Sequence, residues 1–409
     1  MMKKIAFVVP WYGDKIPGGA EMETREVIKH LIADGLTVEV LTTCAKEFAS
    51  DWYVDYYKPG NYMEDIVPVK RFAVRKGNAA RFVEVNTKLL KGFCVSGREE
   101  KEFLENIINS DDLYQYMQKH EQEYSLFVFI PYMFGTTFYG AKMFPNKTVL
   151  IPCFHDECYA YFRAFRRYFS KVRGIVYNAE PERKLANSLY HLEHVKQITM
   201  GIGMDINISG NVERFRDKYK IYKPFILYAG RKDETKNVHT LIHYFDLYKS
   251  EKKTDLQLVM IGPGKLPIPE TCKDEIHDLG FVSMQDKYDA YAAAELLCQP
   301  SKNESFSFVI MESWLMGRPV LVHESCKVTS NFARESNGGL YFQNYNEFAE
   351  AVTYIIEHNL ESKIMGEQGK KYVCTHFSWD TVTKKYRQFL LDCAENKVCK
   401  TESGGENED

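Results

Sequence analysis

Residues 3–10 read KKIAFVVP, residues 18–35 read GGAEMETREVIKHLIADG, and residues 37–43 read TVEVLTT. The outer two are short apolar runs rich in Val, Ile and Thr, residue types that suit extended chain. The middle one carries Met22, Val27, Ile28, Leu31 and Ile32 at helical spacing and stops at Gly35, a common helix end. Strand, helix and strand in this order make a βαβ unit, which is how a parallel, doubly wound sheet begins.

Outward from that unit, residues 45–125 interrupt the alternation with the aromatic stretch DWYVDYYKPGNY (51–62), the basic segment VKRFAVRKGNAARF (69–82) and a helix predicted around Glu99–Asn109. Strands resume at YSLFVFIPY (124–132) and KTVLIPCFHDE (147–157), and IVYNAEPERKLANSLY (175–190) reads as a strand running into a helix. Residues 207–223 are polar and charged, and a second α/β series follows. It runs FILYAG (225–230), helix 237–249, LQLVMIGPG (256–264), IHDLGFV (276–282), helix 285–294, ELLCQP (295–300), helix 308–317 and RPVLVH (318–323).

Two such series predict two Rossmann-like lobes facing each other across a cleft, residues 1–206 and 207–377. The segment FSWDTVTKKYRQFLLDC places Trp379, Val382, Tyr386, Phe389 and Leu390 on one helical stripe, so residues 378–398 are expected as a closing helix. The polar tail 399–409 is expected to be disordered.

Composition narrows the function classes. The chain has 409 residues, 45% hydrophobic and 27% charged, which suits two globular domains with real cores. A net charge of −3 gives no overall attraction to nucleic acid or to an anionic membrane. No run approaches the ~18 apolar residues of a membrane-spanning helix, and the apolar stretch of MMKKIAFVVPWYG is too short for a signal peptide. Ten cysteines without a CxxC pair read as reduced thiols of a cytoplasmic protein. Cys153, His155 and Cys158 lack a second ligand cluster, so no metal is expected.

Three short motifs bear on chemistry. In GGAE, Gly18 and Gly19 let backbone approach a ligand where helix N–H groups point outward, which suits a diphosphate, although a structural turn fits as well. The GxGxxG of a dinucleotide fold is missing. In AGRKDETKN (229–237), Arg231 and Lys236 follow an apolar strand at the edge where open α/β sheets bind ligands. Two cations in that turn can grip a diphosphate, while a solvated charge pair is the plainer alternative.

NESFSFVIME (303–312) sets Glu304 at a loop-to-helix junction and Glu312 inside the helix. Eight helical rises span about 12 Å, too far for one acid/base pair and long enough for two ends of an extended ligand. The N–H groups of residues 305–308 are expected between them as a phosphate-binding helix N-terminus.

With these motifs in this order, the chain resembles a retaining glycosyltransferase of family four with the GT-B fold. The resemblance spans nearly the whole chain and is strongest over Phe225–His323. It implies that residues 1–206 bind the acceptor, 207–377 bind a UDP- or GDP-sugar, and the closing helix returns to the first lobe. The interrupted region 45–125 then reads as acceptor-facing.

Catalytic roles fall by resemblance to Glu304, Arg231, Lys236 and His155. Donor contacts fall to Gly18, Gly19, Gly230, Ser305, Phe306, Ser307, Phe308 and Glu312, with Glu304 by the sugar hydroxyls and Glu312 on the ribose. Ser307 departs from the family, which has Gly there. Asp156 and Glu157 are expected to orient His155.

The resemblance implies no cofactor beyond the nucleotide-sugar substrate and a glycan or lipid-linked acceptor, in cell-surface polysaccharide or glycoconjugate assembly. Arg163, Arg166, Arg167, Lys171 and Arg173 stand among aromatics, as at the inner face of a membrane, though a solvated helix face reads the same way. A nucleotide-sugar epimerase, a sugar phosphorylase or a non-catalytic nucleotide-sugar binder of the same fold are the alternatives.

Overall fold

The computed structural model describes residues 3–16 and 18–395. The tail expected at 399–409 and the last residues of the helix expected at 378–398 lie outside them. The chain divides into two compact units. The first takes in residues up to Asn178, then Arg183–Met200 and the chain from Thr383; the second takes in Ala179–Glu182 and Gly201–Val382.

The first unit is built on strands β1 (Lys4–Val9), β2 (Val38–Thr43), β3 (Gly60–Glu64), β4 (Val67–Phe72), β5 (Tyr124–Phe129), β6 (Thr148–Leu150), β7 (Gly174–Tyr177) and β8 (Lys196–Thr199). They form one sheet in the order β3-β4-β2-β1-β5-β6-β7-β8. Every pairing is parallel except β3 with β4. Strand order reverses between β1 and β5, and that reversal leaves a crevice at the carboxyl ends of the two strands.

The second unit holds β9 (Phe225–Ala229), β10 (Gln257–Ile261), β11 (Ile276–Gly280), β12 (Leu296–Gln299), β13 (Val320–His323) and β14 (Gly339–Phe342). Their order is β11-β10-β9-β12-β13-β14, all parallel, with the reversal between β9 and β12. Its central strands β9, β10, β12 and β13 are nearly continuously apolar because both faces are covered. Leu227, Ala229, Val259 and Ile261 point into one cluster, while Ile226, Tyr228, Leu258 and Met260 point into the other.

The helix Trp379–Ala394 places Val382, Tyr386, Phe389 and Leu390 in the interior. From Thr383 onward it belongs to the first unit. Arg173 Nε donates to Cys393 O at 2.9 Å, Lys196 Nζ to Asp392 O at 2.7 Å, and Arg387 Nη1 to Asp34 O at 2.8 Å. The first two bonds give the last carbonyls of this helix cationic partners, and the third gives one to the end of the helix Gly19–Ala33.

Candidate functional site

In the second unit, the loops after β9 and β12 leave the sheet side by side at the strand-order reversal. Asn237 Nδ2 donates to Pro300 O at 3.0 Å and ties one loop to the other. Of two adjacent cations in the first loop, Lys232 is fully buried and committed to Asp278 at 2.7 Å. Arg231 keeps 60% of its side chain exposed, with Asp233 at 3.6 Å. The Arg231 carbonyl accepts from Tyr228 Oη at 2.5 Å, so the backbone is pinned while the guanidinium stays available.

Lys236 ends a short turn capped by the Asp233 side chain, which accepts from Lys236 N at 3.1 Å. Its Nζ lies 2.7 Å from Glu304 Oε1. Gln299 Nε2, at the end of β12, reaches the same oxygen at 3.5 Å. The structure therefore brings Lys236 and Glu304 together, with Arg231 on the same loop.

Glycines let these loops approach. Gly230 N donates to Ile261 O at 3.0 Å, and Gly262 N donates to Gly280 O at 2.7 Å. A Cβ on Gly262 would meet Gly230 O at 2.1 Å, and its φ of +120° is one that side chains avoid. The turn GPG thus closes the carboxyl edge of β9, β10 and β11 with bare backbone.

Glu312 sits in the helix Phe308–Leu315 and is buried. Lys287 Nζ lies 2.7 Å from Glu312 Oε1, and Tyr291 Oη donates to Oε2 at 2.8 Å. Burial and the neighbouring carboxylate push the Tyr291 phenol well above its ordinary range. Tyr291 therefore remains a donor to the carboxylate. Lys287, Tyr291 and Gln299 were not singled out in the sequence; the helix 284–293 carrying the first two reads as ordinary surface until the fold turns it toward Glu312.

The expected helix N-terminus needs correction. The helix begins at Phe308, so the N–H groups of residues 305–307 belong to a loop. Glu304 precedes the helix by four residues, and counting helical rises from it to Glu312 does not apply. Ser307 caps the helix at φ +81° and ψ 82°, with its hydroxyl buried and without a partner among the described residues. That backbone conformation costs a side-chain-bearing residue energy, and it accounts for the Gly that the family pattern has there. Phe306 is 1% exposed and packs its ring on Phe377, Phe332 and Phe308. Only its backbone is left to face a ligand. Ser305 and Phe308 are half-buried.

In the first unit, Gly18 caps the helix Gly19–Ala33 at φ +137°. The space a Cβ would take is filled by Glu21 Oε2 at 1.9 Å. Glu21 in turn accepts from Trp11 Nε1 at 2.7 Å. Among the described residues nothing lies within 4 Å of a Cβ on Gly19.

His155 follows β6, with 29% of its side chain exposed and Nδ1 at 3.8 Å from Glu157 Oε1. Glu157 also accepts from Tyr132 Oη at 2.9 Å. The Asp156 carboxylate accepts from Tyr161 Oη at 2.7 Å. Arg163, Arg166, Arg167 and Lys171 are exposed on and after the helix Arg163–Phe169, whereas Arg173 is half-buried against the closing helix.

The segment that carries β9 through β14 has a counterpart among known families. Residues 211–372 match the family described as Glycosyl transferases group 1. A lipopolysaccharide core biosynthesis glycosyltransferase, LpsE of Rhizobium meliloti, is 28% identical over 180 residues, 41% of this chain and 49% of the relative. The chain spans about half the length of the curated relatives it matches.

Among solved structures, sucrose-phosphate synthase of Thermosynechococcus elongatus aligns with a TM-score of 0.69 at 15% identity, covering 97% of this chain and 100% of that one. Anabaena HepE, solved in complex with UDP-glucose, aligns at 0.67 and 16% identity over 95% of this chain and 100% of its own. Those alignments run over nearly the whole chain, and the fold is the two-lobed α/β GT-B fold.

Proposed function

We propose that this protein is a metal-independent, retaining glycosyltransferase of family four that moves a sugar from a UDP- or GDP-sugar to a hydroxyl of a glycan or lipid-linked acceptor. The observation that carries this reading is the Lys236–Glu304 pair at the strand-order reversal of the second sheet, inside the segment that matches glycosyl transferases group 1. The binding of UDP-glucose by HepE, a protein of the same fold, supports a nucleotide-sugar donor. The likeness to LpsE supports a place in cell-surface polysaccharide assembly.

In this mechanism the bond from the sugar's anomeric carbon to the diphosphate breaks, with its electron pair leaving on the phosphate oxygen. The acceptor hydroxyl attacks the same face, and its proton passes to that oxygen. The leaving diphosphate needs positive charge where its own charge develops. Arg231 and Lys236 supply it without a metal ion, aided by free N–H groups at the start of the helix Phe308–Leu315. Glu304, held by Lys236, faces the sugar hydroxyls, and Glu312 accepts from the ribose. In the first unit, the resemblance assigns Gly18 and Gly19 to donor contact and His155 to the acceptor. No cofactor takes part.

A thermal-shift screen of the whole chain against UDP- and GDP-sugars tests the reading, since a ligand that binds only the folded state raises Tm by mass action. At least one nucleotide sugar should raise Tm for the wild type and fail to do so for Glu312→Ala. The absence of a shift with every UDP and GDP compound would overturn the donor assignment.

A further inference from the structure

Glu23 lies in the helix Gly19–Ala33 and is fully buried, 1% exposed, with no cation bound to it among the described residues. Its Oε2 accepts from Asn178 Nδ2 at 2.9 Å, at the end of β7, and from the Cys153 thiol at 3.6 Å, on the loop after β6. Both partners are neutral, and Oε1 has no partner among the described residues. On its own helix, Glu21 is held by Trp11, and Arg25 donates to the carbonyls of Gly13 and Ile16. On the β6 loop the titratable groups are Cys153, His155, Asp156 and Glu157. Of these the Cys153 thiol touches Glu23, while Asp156 and Glu157 accept from Tyr161 and Tyr132.

Cys153 also has φ +55°, a left-handed conformation that costs a residue with a Cβ. Its thiol contact with Glu23 helps hold it there, two residues before His155.

We propose that Glu23 is a neutral, proton-bearing positioning residue that locks the loop carrying His155 to the end of β7 and to the helix behind Gly18 and Gly19. An ionised carboxylate in that place would be a buried charge without a counter-ion, which proteins avoid by holding the proton. Burial accordingly pushes the Glu23 carboxyl up to about 8. Because the folded state holds the proton more tightly than the unfolded chain, Glu23's contribution to stability is full below the ordinary carboxylate range. It declines as pH rises and levels off above about 8.

Glu23→Gln keeps the shape and cannot titrate. Measured on the full chain from pH 5 to 9, the Tm of Glu23→Gln minus that of wild type should climb toward pH 8 and then level off. A constant offset from imperfect amide packing does not alter this slope. A difference that stays flat across the range would overturn the proposal, because Glu23 would then be ionised throughout.

The activity arm rests on the glycosyltransferase reading. With a nucleotide sugar that is turned over, wild-type kcat should fall on the alkaline side with a midpoint near 8, and Glu23→Gln should lack that fall. Identical alkaline limbs would overturn the positioning role while leaving the buried acid. If no nucleotide sugar is turned over, the activity reading fails and the Tm slope still decides the acid.

Discussion

Lys236 Nζ stands 2.7 Å from Glu304 Oε1, joining the loop after β9 to the loop after β12. The pair is half-buried, so removing one partner leaves the other partly desolvated and misplaced. Lys236→Ala and Glu304→Ala should each lower turnover by about 10²-fold or more. Their double mutant should cost far less than the product of the two, because the residues act as a unit. Steady-state kinetics of the four proteins, with circular dichroism to confirm folding, gives the comparison. Additive losses would mean the pair is a surface contact without a joint role.

Glu312 is held between Lys287 and Tyr291. Glu312→Gln should weaken UDP or GDP binding by about tenfold or more, the scale of one hydrogen bond to a charged group. Tyr291→Phe should weaken it less, because it leaves the carboxylate in place. Calorimetry with UDP and GDP resolves both; unchanged affinity in Glu312→Gln would remove this residue from the ribose.

Ser307 carries two local costs, a φ of +81° and a buried hydroxyl without a partner among the described residues. Ser307→Gly removes both and should stabilise the protein by about 1 kcal/mol. A urea titration should show a higher midpoint at unchanged slope. A lower midpoint would mean that the hydroxyl has a role the backbone geometry does not reveal.

Gly262→Ala should do the reverse. Its Cβ would press on Gly230 O at 2.1 Å across two adjacent strand ends. A loss of about 2 kcal/mol or more is expected in the same titration, and a neutral effect would show that the edge of β9 and β10 yields readily.

These positions show what the sequence discloses. The strands β1, β9 and β10 are legible because both of their faces are buried, which writes them as nearly unbroken apolar runs. Within the region 45–125 only the helix expected around Glu99–Asn109 is legible, and it forms at Gly97–Asn106; the rest is obscured for the opposite reason. β3 is an edge strand with mostly exposed residues, paired only to β4, and the helix Ala79–Leu90 buries only Val85 and Leu89.

At the candidate site, Arg231, Lys236 and Glu304 stand out because charge follows an apolar strand. Lys287 and Tyr291 do not, because their partner lies in a different helix. The strain at Ser307 is a backbone property, visible in sequence only as a departure from a family pattern. Glu23 is hidden for the same kind of reason: a Glu one turn into an amphipathic helix reads as exposed until β6 and β7 close over it.

The central claim is sugar transfer from a nucleotide diphosphate donor. It is tested most directly by incubating the full chain with UDP- and GDP-sugars and an oligosaccharide acceptor panel, in the presence of EDTA. Released nucleotide and the anomeric configuration of the product are then read by NMR. The expected result is release of UDP or GDP, a glycoside with the donor's anomeric configuration, and loss of both in Arg231→Ala and Lys236→Ala. An inverted product, a requirement for added metal, or full activity in both variants would contradict it.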